Sequence, residues 1–171
     1  SQLRPRYAEA LAEYRRLYEH KTRILRDRED NPGLLAMLPD FNERMCRVGA
    51  ILIYYRARYC RALEGYAAPA HEDCSGGREK LTLGYETVKT VLDPFAKTED
   101  IARNLREHQE SHYHAELASG LCLSGPHKDD FIVEVNGRSA RQFCSQGQVR
   151  TAALSLKLAD REIHRSAVGE Y

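Results

Sequence analysis

Three clusters in this sequence carry side chains able to do chemistry. The first is Phe143-Cys144-Ser145-Gln146-Gly147-Gln148-Val149-Arg150-Thr151, which runs into an apolar-rich stretch from Ala152 to Ile163. Ser145 and Gln148 have the spacing of a capping box, Ser at the N-cap and Gln three residues on. Gly147 allows backbone to approach a ligand closely. A helix N-terminus of this kind offers free N–H groups and a positive dipole end to an anion, although an ordinary helix cap has the same spacing. The second cluster is Gly125-Pro126-His127-Lys128-Asp129-Asp130. Acid–base or metal chemistry there would need both carboxylates to converge. Adjacent residues of a strand face opposite sides, so a turn with internal ion pairs is the expectation. The third is His108 and His112, four apart on one helix face, with Glu116 four further on. Metal pairs use that spacing, but polar helix faces carry it often, and no metal site is expected.

These clusters need elements to hold them. Tyr7, Leu11, Tyr14, Tyr18 and Leu25 recur in steps of three and four, with Lys21 interrupting the seam, which predicts an amphipathic helix. Asp30-Asn31-Pro32-Gly33 stops it. Leu38, Phe41, Met45, Val48, Leu52, Tyr55, Tyr59, Ala62 and Tyr66 continue a heptad pattern over about four repeats, with Pro39 tolerated in the first turn. Two such helices joined by a short connection predict an antiparallel, coiled-coil-like hairpin that projects as an arm. Its tyrosines could stack on bases, but their spacing assigns them to packing. His71 to Gly77 is polar and Gly-rich and predicts a loop. Leu81 to Val88 alternates as a strand. Thr98-Glu99-Asp100 opens a helix to about Ala118, Leu121 to Leu123 form a short strand, and Phe131 to Val135 form another, closed by the hairpin signal Asn136-Gly137. A last helix runs from about Gln146 to about Ala167. The fold class is mixed α/β and helix-rich, with a mainly helical lobe over 1–118 and a second lobe over 119–171.

Bulk properties narrow the classes. The 171 residues are 30% charged and 42% hydrophobic, as in globular domains. No apolar run approaches the roughly 20 residues that cross a bilayer. No signal peptide is visible, and the opening Ser1 suggests a processed or cut start. Five cysteines without a CxxC pair predict reduced cytosolic thiols rather than zinc or disulfides. Cys46, Cys60 and Cys74 stand fourteen apart, which the Pro69 and Gly76-Gly77 punctuation reduces to coincidence. Up to Tyr66 there are thirteen Lys/Arg against nine Asp/Glu; beyond it there are thirteen against sixteen. The first part is mildly basic, compatible with phosphate contact and equally with a solvated helix face.

The run Cys144-Ser145-Gln146-Gly147-Gln148 resembles the signature motif of ABC-type ATPases, commonly LSGGQ, with Cys at the first position and Gln at the third. Leu123-Ser124-Gly125-Pro126-His127-Lys128-Asp129-Asp130-Phe131, then Val133 to Arg138, the signature-like run, Ala153 to Asp160 and Val168-Gly169-Glu170-Tyr171 follow in an order that resembles the C-terminal part of the RecF family. This family comprises recombinational-repair relatives of the SMC-type ATPases. The strong part of the resemblance covers Leu123 to Tyr171, and the helices before it match in order.

The resemblance implies a helical arm followed, from residue 119, by part of an ABC-type ATPase head. It implies a cytoplasmic protein of DNA replication, recombination, repair and the SOS response that binds ATP with Mg²⁺ and dimerises on ATP. Its implied partners are double-stranded or gapped DNA and the RecO and RecR proteins, with no membrane. Ser145, Gln146, Gly147, Gln148 and Arg150 would meet the γ-phosphate of ATP held by the partner subunit. Lys128 is a candidate for the nucleotide or DNA surface, and Arg15, Arg16, Arg23, Arg26, Arg44 and Arg47 for the DNA backbone. Neither a G-x-x-x-x-G-K-[ST] loop nor an apolar strand ending in paired acids occurs in the sequence. Catalytic residues are therefore not expected here, and the chain alone is expected not to hydrolyse ATP or hold nucleotide tightly. Two other readings compete: a docking module built on the helical arm, and another SMC-like ATPase of the RecN or overcoming-lysogenization-defect type.

Overall fold

A computed structural model of the protein describes residues 5–168; the closing Gly169-Glu170-Tyr171 lies outside the described residues. The fold is mixed α/β and rich in helix, with one three-stranded antiparallel sheet among the described residues. Two compact units each draw on two stretches of chain: residues 1–55 with 87–129, and residues 56–86 with 130–171.

The first unit is helical. Helix α1 spans Pro5–Asp27 and buries Ala10, Tyr14, Leu17, Lys21, Ile24 and Leu25. The steps between the first five alternate four and three, so Lys21 occupies a seam position rather than breaking the seam. The Arg28 guanidinium donates to the Leu25 carbonyl at 2.6 Å and helps satisfy the helix end. A 3₁₀ turn over Pro32–Met37 then leads into helix α2, Leu38–Ser75. Arg44 pairs with Glu13, Phe41 lies against His20, and Tyr55 meets Tyr7 edge-on. As the number rises along α2 it falls along α1, which is the expected antiparallel hairpin. Helix α3, Thr98–Ser119, adds a third member through Arg106, whose guanidinium donates two bonds to Glu43 at 2.7 and 2.8 Å. A third helix explains why α2 buries Cys46, Ala50 and Ile53 beyond its heptad positions.

The second unit takes the rest of α2. There the heptad series changes partner: Tyr59 donates to Asp160 at 2.6 Å, and Tyr66 lies 3.4 Å from Ser166. A two-stranded seam from Leu38 to Tyr66 is therefore corrected, because α1 is only 23 residues long. The loop expected from His71 is also corrected. Helix α2 continues through Pro69 to Ser75; Pro69 and Gly65 are both exposed, so water can satisfy the carbonyl that Pro69 leaves without a helical donor. The helix ends at Gly76 and Gly77, both at positive φ, whose N–H groups bond back to Asp73 and Glu72 as a Schellman motif. Cys46, Cys60 and Cys74 thus share one continuous helix, and all five cysteines are free.

Strand β1, Leu81–Glu86, pairs antiparallel with β2, Asp130–Val135, in the register Leu81 to Val135. Asn136 (φ 53) and Gly137 (φ 72) make the tight turn to β3, Arg138–Ser139. The short helix α4, Ala140–Phe143, precedes α5, Gln146–Val168. Ala67, Leu81, Val135, Ala152 and Ala159 form the core, with Leu63, Leu83, Val133 and Leu156 packed around it. The strand expected at Leu121–Leu123 does not form. The Leu123 and Ser124 N–H groups donate to the Glu116 carboxylate instead of to a sheet partner.

Candidate functional site

The turn before α5 has the geometry its sequence predicts. Ser145 N–H donates to Gln148 Oε1 at 2.9 Å, and Gln148 N–H donates to Ser145 Oγ at 3.3 Å, a reciprocal capping box. Cys144 packs inward against the core of its unit, while Ser145, Gln146 and Gly147 are exposed. Ser145 Oγ accepts the Gln148 N–H, so its own proton is free to be donated outward. The Gln146 and Gly147 N–H groups take no acceptor among the described residues. One hydroxyl and two amides at a helix N-terminus are a donor set that fits a phosphate oxygen. Gln148 is different: its Nε2 donates to Glu79 Oε1 at 3.0 Å, which commits the side chain to shaping the turn. Arg150 is exposed one turn further along α5.

Lys128 sits in the other unit, exposed at the end of a 3₁₀ turn over Pro126–Lys128. The turn is anchored from behind. Burial holds the His127 imidazole below its ordinary value near 6.5, so the ring is neutral. Its Nε2–H donates to the Cys122 carbonyl and its Nδ1 accepts the Tyr14 hydroxyl proton, both at 3.0 Å. Gly125, at φ 132, leaves room for that hydroxyl, which a Cβ there would strike. Asp130 opens β2 and pairs with Arg141, outside the cluster, at 3.2 Å, so this ion pair is not the turn-internal one expected.

Of the candidate arginines, Arg15, Arg16, Arg23 and Arg26 are exposed on α1. At 3.6 residues per turn they fall within an arc of about 100°. Arg26 lies 3.6 Å from Asp27, whereas Arg15, Arg16 and Arg23 have no carboxylate partner among the described residues. Arg44 and Arg47 are held by Glu13 and Glu43, each at 2.8 Å.

Comparison with known proteins bears on the whole chain. The DNA replication and repair protein RecF of Bacillus subtilis is 34% identical over 174 residues, which is 99% of this chain. The RecF of Listeria monocytogenes serovar 1/2a is 35% identical over 176 residues. The chain belongs to the RecF family. It spans about half, 46%, of the length of these curated relatives. No family model matches it. A solved structure of the recombination mediator protein RecF-ATPrS in the RecFOR pathway superposes with a TM-score of 0.90 at 26% identity, covering 98% of this chain and 44% of that one. A RecF-ATP structure gives 0.84 at 28% identity, covering 95% of this chain.

The most deeply buried ion pair among the described residues of this RecF-family chain joins two residues that the sequence did not pair. Lys21, with no exposure, meets Glu116 at 2.7 Å and donates to Gln109 Oε1 at 2.8 Å. Glu116 also accepts from Gln109 Nε2, Leu123 N–H and Ser124 N–H. The one available signal was a lysine at a seam position. Glu116 is therefore unavailable to His108 and His112, whose rings stack at 4.0 Å. His108 bonds Ser124 Oγ at 2.8 Å, and burial followed by the neighbouring His112 lowers its pKa. No group of three potential metal ligands occurs among the described residues. Burial pushes the Cys46, Cys60 and Cys122 thiols up to about 11, so they are poor nucleophiles. Among the described residues no helix is long and apolar enough to cross a membrane.

Proposed function

We propose that this chain supplies the nucleotide-sensing half of a RecF protein that dimerises on ATP and holds DNA in replication and repair. The carrying observation is the exposed, reciprocally capped turn at Ser145, with its unused hydroxyl proton and its free Gln146 and Gly147 amides. Ser145 and Gly147 would meet the γ-phosphate of ATP bound by the partner subunit. Gln146 would line the same turn, Arg150 would add a cation, and Gln148 would shape the loop. When bound, ATP with Mg²⁺ supplies the negative charge that these donors meet. The residues that hold the nucleotide itself and hydrolyse it are assigned to the rest of the complete protein. The functional division places a helical arm at 1–118 and part of an ATPase head at 119–171.

The α1 face of Arg15, Arg16, Arg23 and Arg26 would contact the DNA backbone without reading sequence, and Lys128 would face nucleotide or DNA. Arg44 and Arg47 are weaker candidates, since binding DNA would first break their ion pairs. RecO and RecR are the proposed protein partners, and the cytoplasm is the proposed location. The similarity to RecF-ATPrS and RecF-ATP structures supports the nucleotide part of this reading.

The test uses the complete protein carrying Ser145→Arg, which fills the turn with a long cation. It is expected to bind ATP but not to dimerise on it; unchanged ATP-driven dimerisation refutes the reading. Reversing Arg15, Arg16 and Arg23 to Glu is expected to weaken duplex binding and to reduce the slope of log affinity against log salt by about 0.9 per lost phosphate contact. An unchanged slope removes α1 from the interface.

A further inference from the structure

Behind Gln148 runs a chain of polar side chains that the proposed function leaves without a role. Gln148 Oε1 holds the Ser145 N–H and its Nε2 holds Glu79 Oε1. Glu79 Oε2 lies 3.1 Å from His71 Nε2, and the His71 side chain has no solvent exposure. His71 Nδ1 lies 3.4 Å from Ser155 Oγ, whose hydroxyl donates to the Thr151 carbonyl at 2.9 Å. The Glu79 N–H is itself fixed by Ser75 Oγ at 3.2 Å. The chain thus ties the last turns of α2 and the segment before β1 to the first three turns of α5. His71, Ser75 and Ser155 are buried and Glu79 and Gln148 partly so, so a member left unmatched loses a hydrogen bond that water replaces only in part.

The chemistry of Gln148 explains why such support matters. A capping glutamine freed from Glu79 has several rotamers open to it. The one observed places Oε1 on the Ser145 N–H and Nε2 on Glu79. Holding Gln148 from behind therefore fixes where the Ser145 hydroxyl and the Gln146 and Gly147 amides point. Donors fixed in advance serve an incoming anion better than donors that must be ordered on binding.

We infer that Glu79 and His71 are positioning residues for the Ser145 turn, acting through Gln148 to preset its donors for a phosphate. The inference rests on the proposed meeting of that turn with ATP. Glu79 and His71 do not touch the ligand. They stand 69 and 77 residues before Gln148 in sequence and are joined to it by hydrogen bonds alone.

The experiment compares Glu79→Ala, Glu79→Gln, His71→Leu and the Glu79→Ala/His71→Leu pair with Ser145→Arg in the complete protein. Two quantities are read: amide hydrogen exchange over Ser145–Val149 without nucleotide, and the ATP concentration for half-maximal dimerisation. Glu79→Ala is expected to speed exchange in the turn and to raise that concentration roughly five- to tenfold, the equivalent of one hydrogen bond. Glu79→Gln keeps an acceptor for Gln148 Nε2 and is expected to recover both readouts to within about twofold. The double variant is expected to be no worse than the more severe single one, because both act through one chain.

Wild-type dimerisation by Glu79→Ala, with Ser145→Arg inactive, overturns the inference and leaves the proposed function standing. Wild-type dimerisation by Ser145→Arg overturns the proposed function itself. Loss in both Glu79 variants with faster exchange throughout β1 and β2 shows general destabilisation and also overturns the inference. Additive effects in the double variant remove His71 from it.

Discussion

Replacing Lys21 with Met is a direct test of how the first unit holds together. The substitution keeps most of the stem that packs in the α1 seam and deletes the ammonium. Glu116, 1% exposed, would then have no cation beside it. Breaking one partner of a buried ion pair costs about 3–5 kcal/mol. Gln109 Nε2 and the Leu123 and Ser124 amides remain as donors to the carboxylate, which places the cost near the lower end, about 3 kcal/mol. In a domain of this size that corresponds to a fall of roughly 6–12 °C in Tm. Glu116→Gln is expected to cost a similar amount, because its new amide group faces Gln109 Nε2 and the Lys21 ammonium, donor against donor. Combining Lys21→Met with Glu116→Gln removes both charges, and the pair is expected to be more stable than either single variant, with a coupling of about 2–3 kcal/mol. Urea unfolding followed by circular dichroism measures all three. A Lys21→Met cost under about 1 kcal/mol, or simple additivity in the double variant, would refute the idea that this ion pair is held by mutual compensation.

Two further outcomes are expected. Gly125→Ala combines a positive-φ strain with a clash on the Tyr14 hydroxyl, so it should cost roughly 2–5 kcal/mol and displace the His127 ring; thermal melts and the His127 NMR resonances would show it, and an unchanged melt would contradict the packing. Acidification should also destabilise the first unit. His108 and His127 have folded pKa values below 6.5, so from about pH 6.5 downward the unfolded chain takes up protons that the folded one resists; stability flat between pH 7 and 5, measured by urea titration, would contradict the burial of both rings.

Legibility followed the range of the interactions. The Ser145–Gln148 cap, the Asn136-Gly137 turn and the α1–α2 hairpin are local in chemistry, and spacing alone reveals them. Lys21 read as a flaw in the seam because its partners, Gln109 and Glu116, lie 88 and 95 residues away. Helix α2 outran its expected end because His71 and Ser75 find buried places in tertiary structure that override the local signal of Pro69. The strand expected at Leu121–Leu123 failed for a related reason: a carboxylate from α3 claimed the Leu123 amide and that of Ser124 just after it. The arginines divide the same way. Sequence marks six, and only the structure shows that Glu13 and Glu43 already hold two of them.

Gly49 gives the Lys128 turn a further property. A Cβ at position 49 would come within 3.1 Å of the Pro126 ring and 3.3 Å of Leu105, so bare backbone of α2 is the floor on which that ring rests. Lys128 is thereby an exposed cation on a turn seated directly against helix backbone. Its reach is set by four methylene groups and not by the loop that bears it. Whatever negative group it meets must come within that small radius, and a longer side chain at position 49 would retune the distance from beneath without touching any charge.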